Sequence, residues 1–138
     1  MKKTIKSTIS LLLAFVFILS LASCGAQVDK EGLWETATYL KDTELGEGAK
    51  TTIVEVTVGE QTVTFTIHTD EEMLGAALLA HGLIEGTDGL YTKVNGMVAD
   101  YNIDQSYWGF FIDGELAMTG LDQTPITEGA VYQLTYTK

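Results

Sequence analysis

Arginine is absent from this chain, and cysteine and proline each occur once, as Cys24 and Pro125. Each shortage excludes something. Without guanidinium groups there is no bidentate fork for phosphate or carboxylate. A chain whose few cations are lysines, with a formal net charge of −11, is poorly equipped to neutralise a phosphate backbone, so nucleic acid is excluded as a partner. One cysteine forms no internal disulfide. With only two histidines, His68 and His81, and no thiol pair, a zinc site at ordinary ligand spacing is not expected. No internal repeat and no low-complexity tract is present.

What is present begins with an export pattern. Lys2, Lys3 and Lys6 precede an uncharged run from Ser7 to Ser23, whose centre, Leu11 to Leu21, is almost wholly apolar. That run is shorter than the roughly 20 residues of a membrane span, and its layout is that of a secretory signal. It ends in Leu21-Ala22-Ser23-Cys24, which resembles the bacterial lipoprotein signal. The resemblance implies that residues 1–23 are removed and that Cys24 is lipidated and becomes the N-terminus. Two acyl chains suffice for stable anchoring, so the expected location is extracytoplasmic, tethered to the cell membrane. The alternative is a plain signal peptide with an incidental cysteine. The segment from Cys24 onward keeps five lysines and all nineteen acidic residues, a formal charge of −14. Solubility is the ordinary meaning of such acidity.

Residues 24–49 are rich in Gly, Glu, Asp and Lys and read as a lipidated cysteine followed by a spacer, joined to a first strand near Thr36 to Leu40. Beyond it, Val54, Val56 and Val58 alternate with other residues. Val63, Phe65 and Ile67 alternate strictly with threonines, giving a hairpin with one buried face. The period then lengthens. "TDEEMLGAALLAHG" reads as a helix with Thr69 as N-cap, Glu72 completing a capping box, and Gly82 as C-cap. Asp88-Gly89, Asn95-Gly96 and Asp113-Gly114 are strong turn signals. They separate "LYTKV", "MVADYNI", "YWGFFI" and "ELAMTG", and "AVYQLTYT" is the last strand. One helix among short strands predicts an α+β domain, with the helix packed on a curled, mostly antiparallel sheet.

Candidate chemistry is sparse. His68 ends a strand and His81 ends a helix, with no partner constellation for catalysis. Asp100, Asn102 and Asp104 match the start of an EF-hand loop, but Gln105 stands where Gly is required and Phe111 where Glu is required. No metal site is therefore assigned. Paired carboxylates such as Glu71-Glu72 arise by chance in so acidic a chain. Neither a Gly-X-Ser-X-Gly elbow nor a phosphate-binding loop occurs, and the expectation is that the protein is not an enzyme.

The strongest remaining signal is the aromatic strand Tyr107 to Ile112. Alternation places Trp108, Phe110 and Ile112 on one face and Tyr107, Gly109 and Phe111 on the other. Aromatic side chains combine large apolar area with a polar edge and are favoured at binding surfaces. Trp108, Phe110 and Tyr107 are the candidate ligand contacts, with Tyr101 as a neighbour. The competing reading buries one face under the helix and the other under a curled sheet or loop. A one-residue shift in register would exchange the two faces.

"TDEEMLGAALLAHGLI", "VNGMVADY", "YWGFFIDGELAMTG" and "PITEGAVYQLTY" together resemble the transcobalamin-like C-terminal domain found in bacterial lipoproteins, over about residues 50–138. The most specific elements are Tyr107-Trp108, Asp113-Gly114, Gly120 and Glu128-Gly129. Members usually carry Asn-Gly at the hairpin where this chain has Asp113-Gly114, a change that keeps the turn chemistry. The resemblance implies a small β-grasp-like domain and a corrinoid as ligand. In the animal vitamin B12 carriers a similar domain closes over one face of cobalamin with apolar and aromatic contacts, while a separate helical barrel holds the other face. No residues here are expected to make that barrel. A transporter or second binding protein would supply the rest. The functional expectation is a lipid-anchored binding module that captures a corrinoid or other small molecule for a membrane uptake partner. The alternative is a surface module that binds a protein or polymer through the same aromatic strand.

Overall fold

The computed structural model describes residues 27–138. The signal segment 1–23 and the lipidation at Cys24 lie outside the described residues. Nine strands and two short α-helices follow one another: β1 (Thr43–Leu45), β2 (Lys50–Val58), β3 (Gln61–Thr69), α1 (Leu74–Ala80), β4 (Ile84–Thr87), β5 (Leu90–Val94), β6 (Met97–Val98), α2 (Tyr101–Asp104), β7 (Tyr107–Ile112), β8 (Glu115–Leu116) and β9 (Val131–Thr137). They form a six-stranded sheet in the order β1-β3-β2-β9-β7-β8 and a three-stranded sheet, β4-β5-β6. The domain is α+β, with one main helix. Pairings are antiparallel except β1 with β3 and β2 with β9. The four central strands, β3-β2-β9-β7, set the first and last long strands side by side and parallel, a β-grasp-like order. Among the described residues, no further strand pairs with either edge of the large sheet.

Alternation explains which face is buried. Val54 and Val56 on β2, Val63, Phe65 and Ile67 on β3, and Tyr132 and Leu134 on β9 point to one side and are at most 2% exposed. Leu74, Ala77 and Leu78 of α1 complete the core against them. The opposite face carries threonines; Thr57 and Thr62 share a hydroxyl hydrogen bond across the hairpin, 2.8 Å. Three two-residue turns join their strands: Asp88-Gly89 for β4 and β5, Asn95-Gly96 for β5 and β6, and Asp113-Gly114 for β7 and β8. In each, both residues have positive φ, the conformation that suits a right-twisted hairpin.

Four expectations are corrected. No strand forms over Thr36 to Leu40. The chain makes a 3-10 turn at Gly32–Thr36, and Thr38 and Tyr39 are then held by Asn95: Thr38 N–H donates to Asn95 C=O at 2.8 Å, and Tyr39 N–H donates to the Asn95 side chain at 2.9 Å. With those groups engaged, the first strand starts later, at Thr43. Nor are residues 27–49 a detached spacer. Trp34 is 2% exposed and its indole N–H donates to Val58 C=O at 3.3 Å.

The helix starts at Leu74, after the expected N-cap. Thr69 closes β3, and its hydroxyl accepts from Glu71 N–H at 3.0 Å. The next residues pair with the segment around Pro125: Ile126 N–H donates to Glu72 C=O at 2.9 Å, and Leu74 N–H to Thr124 C=O at 2.9 Å. Backbone committed to that pairing cannot also close helical turns. The C-terminal end is as expected. Gly82 has φ +66°, and Gly82 and Leu83 donate back to Leu79 and Leu78, both at 3.0 Å, a Schellman motif. "MVADYNI" is broken, because Asp100 accepts from Asn102 N–H at 2.9 Å and caps the single turn of α2.

Candidate ligand-binding cleft

The register of β7 on β9 pairs Trp108 with Tyr136, Phe110 with Leu134 and Ile112 with Tyr132. Trp108, Phe110 and Ile112 therefore lie on the core side of the sheet. Phe110 stacks on Tyr132 with centroids 6.3 Å apart and planes at 28°, while Trp108 meets Tyr136 edge-on at 5.7 Å and 71°. The core covers neither fully: both are half-buried. Beyond them β5, α2 and the loop 119–121 stand off from the sheet, leaving a cleft of about 500 Å³. That lies within the ordinary range for small-molecule sites, roughly 300–1,000 Å³.

The cleft is lined mainly by carbon. Phe110, Leu134, Val94 and Leu121 form its depth, and Tyr91, Tyr101, Tyr107 and Leu90 its walls and mouth. Tyr101 is 63% and Tyr107 50% exposed. Thus the structure brings all four sequence candidates, Trp108, Phe110, Tyr107 and Tyr101, to one cavity, although Tyr107 belongs to the other face by alternation. Its place at the first position of β7, beside α2, lets it border the cleft from the strand end. On that outer face Phe111 covers Gly109: a Cβ at Gly109 would stand 3.0 Å from its ring.

The polar groups are few and mostly engaged. Tyr91 OH donates to Asp122. Burial, then the hydrogen bond to Asp122 and its negative charge, push the Tyr91 phenol up to about 12. Ser106 OH donates to Asp104 and accepts from Asp100 N–H at 3.0 Å. The Ser106 hydroxyl above all, then its backbone N–H and Lys138, hold the Asp104 carboxyl below the usual carboxylate range, against a smaller opposing effect of burial. The Trp108 indole N–H is buried and has no hydrogen-bond partner among the described residues. An orphaned donor is costly wherever water cannot reach it.

Neither histidine belongs to the cleft. His68 sits on the outer face of β3, its ring bonded to Thr51 Oγ1 at 3.0 Å and Glu44 Oε1 at 2.6 Å. His81 follows α1 and packs near Gly46. Among the described residues no three His, Cys, Asp or Glu side chains converge as a metal site would need. Sequence reasoning missed Tyr91, Leu121 and Leu134. Tyr91 and Leu134 alternate within their strands, a signal that marks a buried face without marking a cavity. Leu121 opens the 3-10 turn Leu121–Gln123, which is too short for a periodicity to single it out.

Fold and cleft together describe a small α+β domain with an apolar cleft beside its large sheet. No protein-family model matches the chain, and no curated protein matches it. Among solved structures, it is similar to a candidate metal binding protein from Ruminococcus gnavus ATCC 29149, at 30% identity and a TM-score of 0.61, covering 65% of this chain and 98% of that one. The chain belongs to the same family as that protein. It is also similar to haptocorrin in complex with Cbi, at 19% identity and a TM-score of 0.44, over 64% of this chain and 25% of haptocorrin.

Proposed function

We propose that this protein is a non-catalytic binding module, lipid-anchored through Cys24 outside the cytoplasm, which holds a corrinoid or similar small molecule in the β7 cleft for a membrane partner. The observation that carries the binding reading is the cleft itself. Half-buried aromatic rings line it, it opens to solvent, and aromatic pairs across β7 and β9 fix its walls. Pre-formed apolar walls with few polar groups are what a small-ligand site requires. The export and anchoring parts rest on the Lys2 to Cys24 pattern. The corrinoid rests on the sequence resemblance carried by Tyr107-Trp108, Asp113-Gly114 and Glu128-Gly129. A corrinoid brings its own metal. A metal-binding description of the Ruminococcus relative would then need no cluster of ligating side chains. The cleft is open, so it covers one part of such a ligand, and a transporter or second binding protein would cover the rest.

The test is a titration of residues 25–138 with cobalamin and cobinamide, followed by Trp fluorescence and calorimetry. Saturable binding that weakens at least tenfold in Trp108→Ala, with circular dichroism unchanged, supports the site. No binding up to millimolar ligand rules out capture by this domain alone. Mass analysis of the membrane-bound protein tests the anchor: a chain beginning at an unmodified residue other than Cys24 removes it.

A further inference from the structure

Among the described residues, the one charged side chain that lines the cleft is negative. Asp100 lines it, and Asp104 and Asp122 stand directly behind it, through Ser106 and Tyr91. No lysine or histidine is among the lining residues. Of the described lysines, Lys93 pairs with Glu85 at 3.5 Å and Lys50 with Glu72 at 3.5 Å. Lys138 pairs with Asp104 at 3.6 Å. An anion entering this cavity would leave water and meet Asp100, with Lys138 already engaged by Asp104. A cation would meet the reverse, together with the π surfaces of Tyr101, Tyr107 and Trp108, which attract positive charge.

We propose that the cleft selects organic cations: a ligand with an apolar or aromatic body and a fixed positive charge, seated among Tyr101, Tyr107 and Trp108 with Asp100 as counter-charge. This rests on the reading of the cleft as a small-ligand site and adds the charge class it accepts. Among corrinoids it favours amidated forms over those bearing free carboxylates. The Asp100 carboxylate already accepts from Asn102 N–H, so it is held in place before any ligand arrives. Neutral ligands rank between the two charge classes.

The experiment compares three probes of one shape, benzyltrimethylammonium, benzyl alcohol and benzoate, on the mature chain. Binding is read from the indole N–H resonance of Trp108 and from Trp fluorescence, at low and high salt. The cation should bind at least about tenfold more tightly than benzoate, and the gap should narrow with salt. Asp100→Asn keeps an N-cap residue while removing the charge. It should reduce cation affinity severalfold and benzyl alcohol affinity much less. Equal affinity for cation and anion, tighter benzoate, or an Asp100→Asn variant that binds the cation as before, each overturns the selectivity and leaves the cleft a binding site. If no probe shifts Trp108 the selectivity also falls, and the corrinoid titration then decides the binding reading separately.

Discussion

Gly75 and Asp122 are in direct contact: a Cβ placed on Gly75 would overlap Asp122 Oδ1 and stand 3.0 Å from Asp122 N. The first turn of α1 thus lies against the 121–123 turn, and the same Asp122 carboxylate receives the Tyr91 hydroxyl. Gly75→Ala should raise intrinsic helix propensity by about 1 kcal/mol and still lower net stability, because Asp122 backbone and side chain must both retreat. Urea denaturation measures the net sign. A stabilised Gly75→Ala would show that the contact is loose.

Tyr91 makes the alkaline limb of stability informative. Its pKa in the folded protein rises from 10.0 to about 12, through burial and then Asp122. The folded state therefore holds this proton more tightly than the unfolded chain. The contribution is whole below about pH 10 and is lost as pH rises from there through about 12. Tyr91→Phe should flatten the fall of stability over that window and remove the last step of the tyrosinate absorbance titration. An unchanged last step would assign it to another tyrosine.

Thr52 is 1% exposed, and its hydroxyl has no partner among the described residues. It lies on the same inward face of β2 as Val54 and Val56. Thr52→Val keeps the branched shape and removes an unsatisfied buried group, so it should stabilise by about 1 kcal/mol. Thermal or urea unfolding reads this directly, and a loss of stability would mean that the hydroxyl has a buried water as partner.

Asn95 is wholly buried and clasps Tyr39 twice, donating to its C=O at 2.9 Å and accepting from its N–H at 2.9 Å. It does so at φ +50°, where Asn is better tolerated than most residues. Asn95→Ala should cost roughly 2–4 kcal/mol, from two buried hydrogen bonds and a strained backbone. Hydrogen exchange should speed up at Thr38 and Tyr39 before it does in β2 or β3. Uniform acceleration across the sheet would mean the 27–40 segment and the sheet open together.

Much of this fold is legible in the residues. The Val63, Phe65, Ile67 alternation gives β3 its buried face, and Asp-Gly and Asn-Gly pairs locate three hairpins, because these signals are local. What was hidden is what depends on partners distant in sequence. Thr69 and Glu72 form a convincing capping box, and nothing near them announces that Thr124 to Ile126 will take the backbone of Glu72 and Leu74. The 36–40 segment carries strand-like residues, but buried Asn95 decides its path. At the site, aromatic crowding marked Trp108, Phe110, Tyr107 and Tyr101. The cavity needs Leu121 and Tyr91 as well, and they are brought there by the small sheet and a loop. No one-dimensional pattern encodes the gap between two sheets.

The parallel pairing of β2 with β9 joins residues far apart in sequence, such as Ile53 and Val131, at the centre of the large sheet. Contacts so remote in sequence form slowly, since the loop between them must close first. The β2–β3 hairpin can assemble early. The β7–β8 side has no seam to dock on until Val131–Thr137 is in place. Without β9 the chain would hold two half-sheets that share no edge, so folding of this domain waits on that one strand.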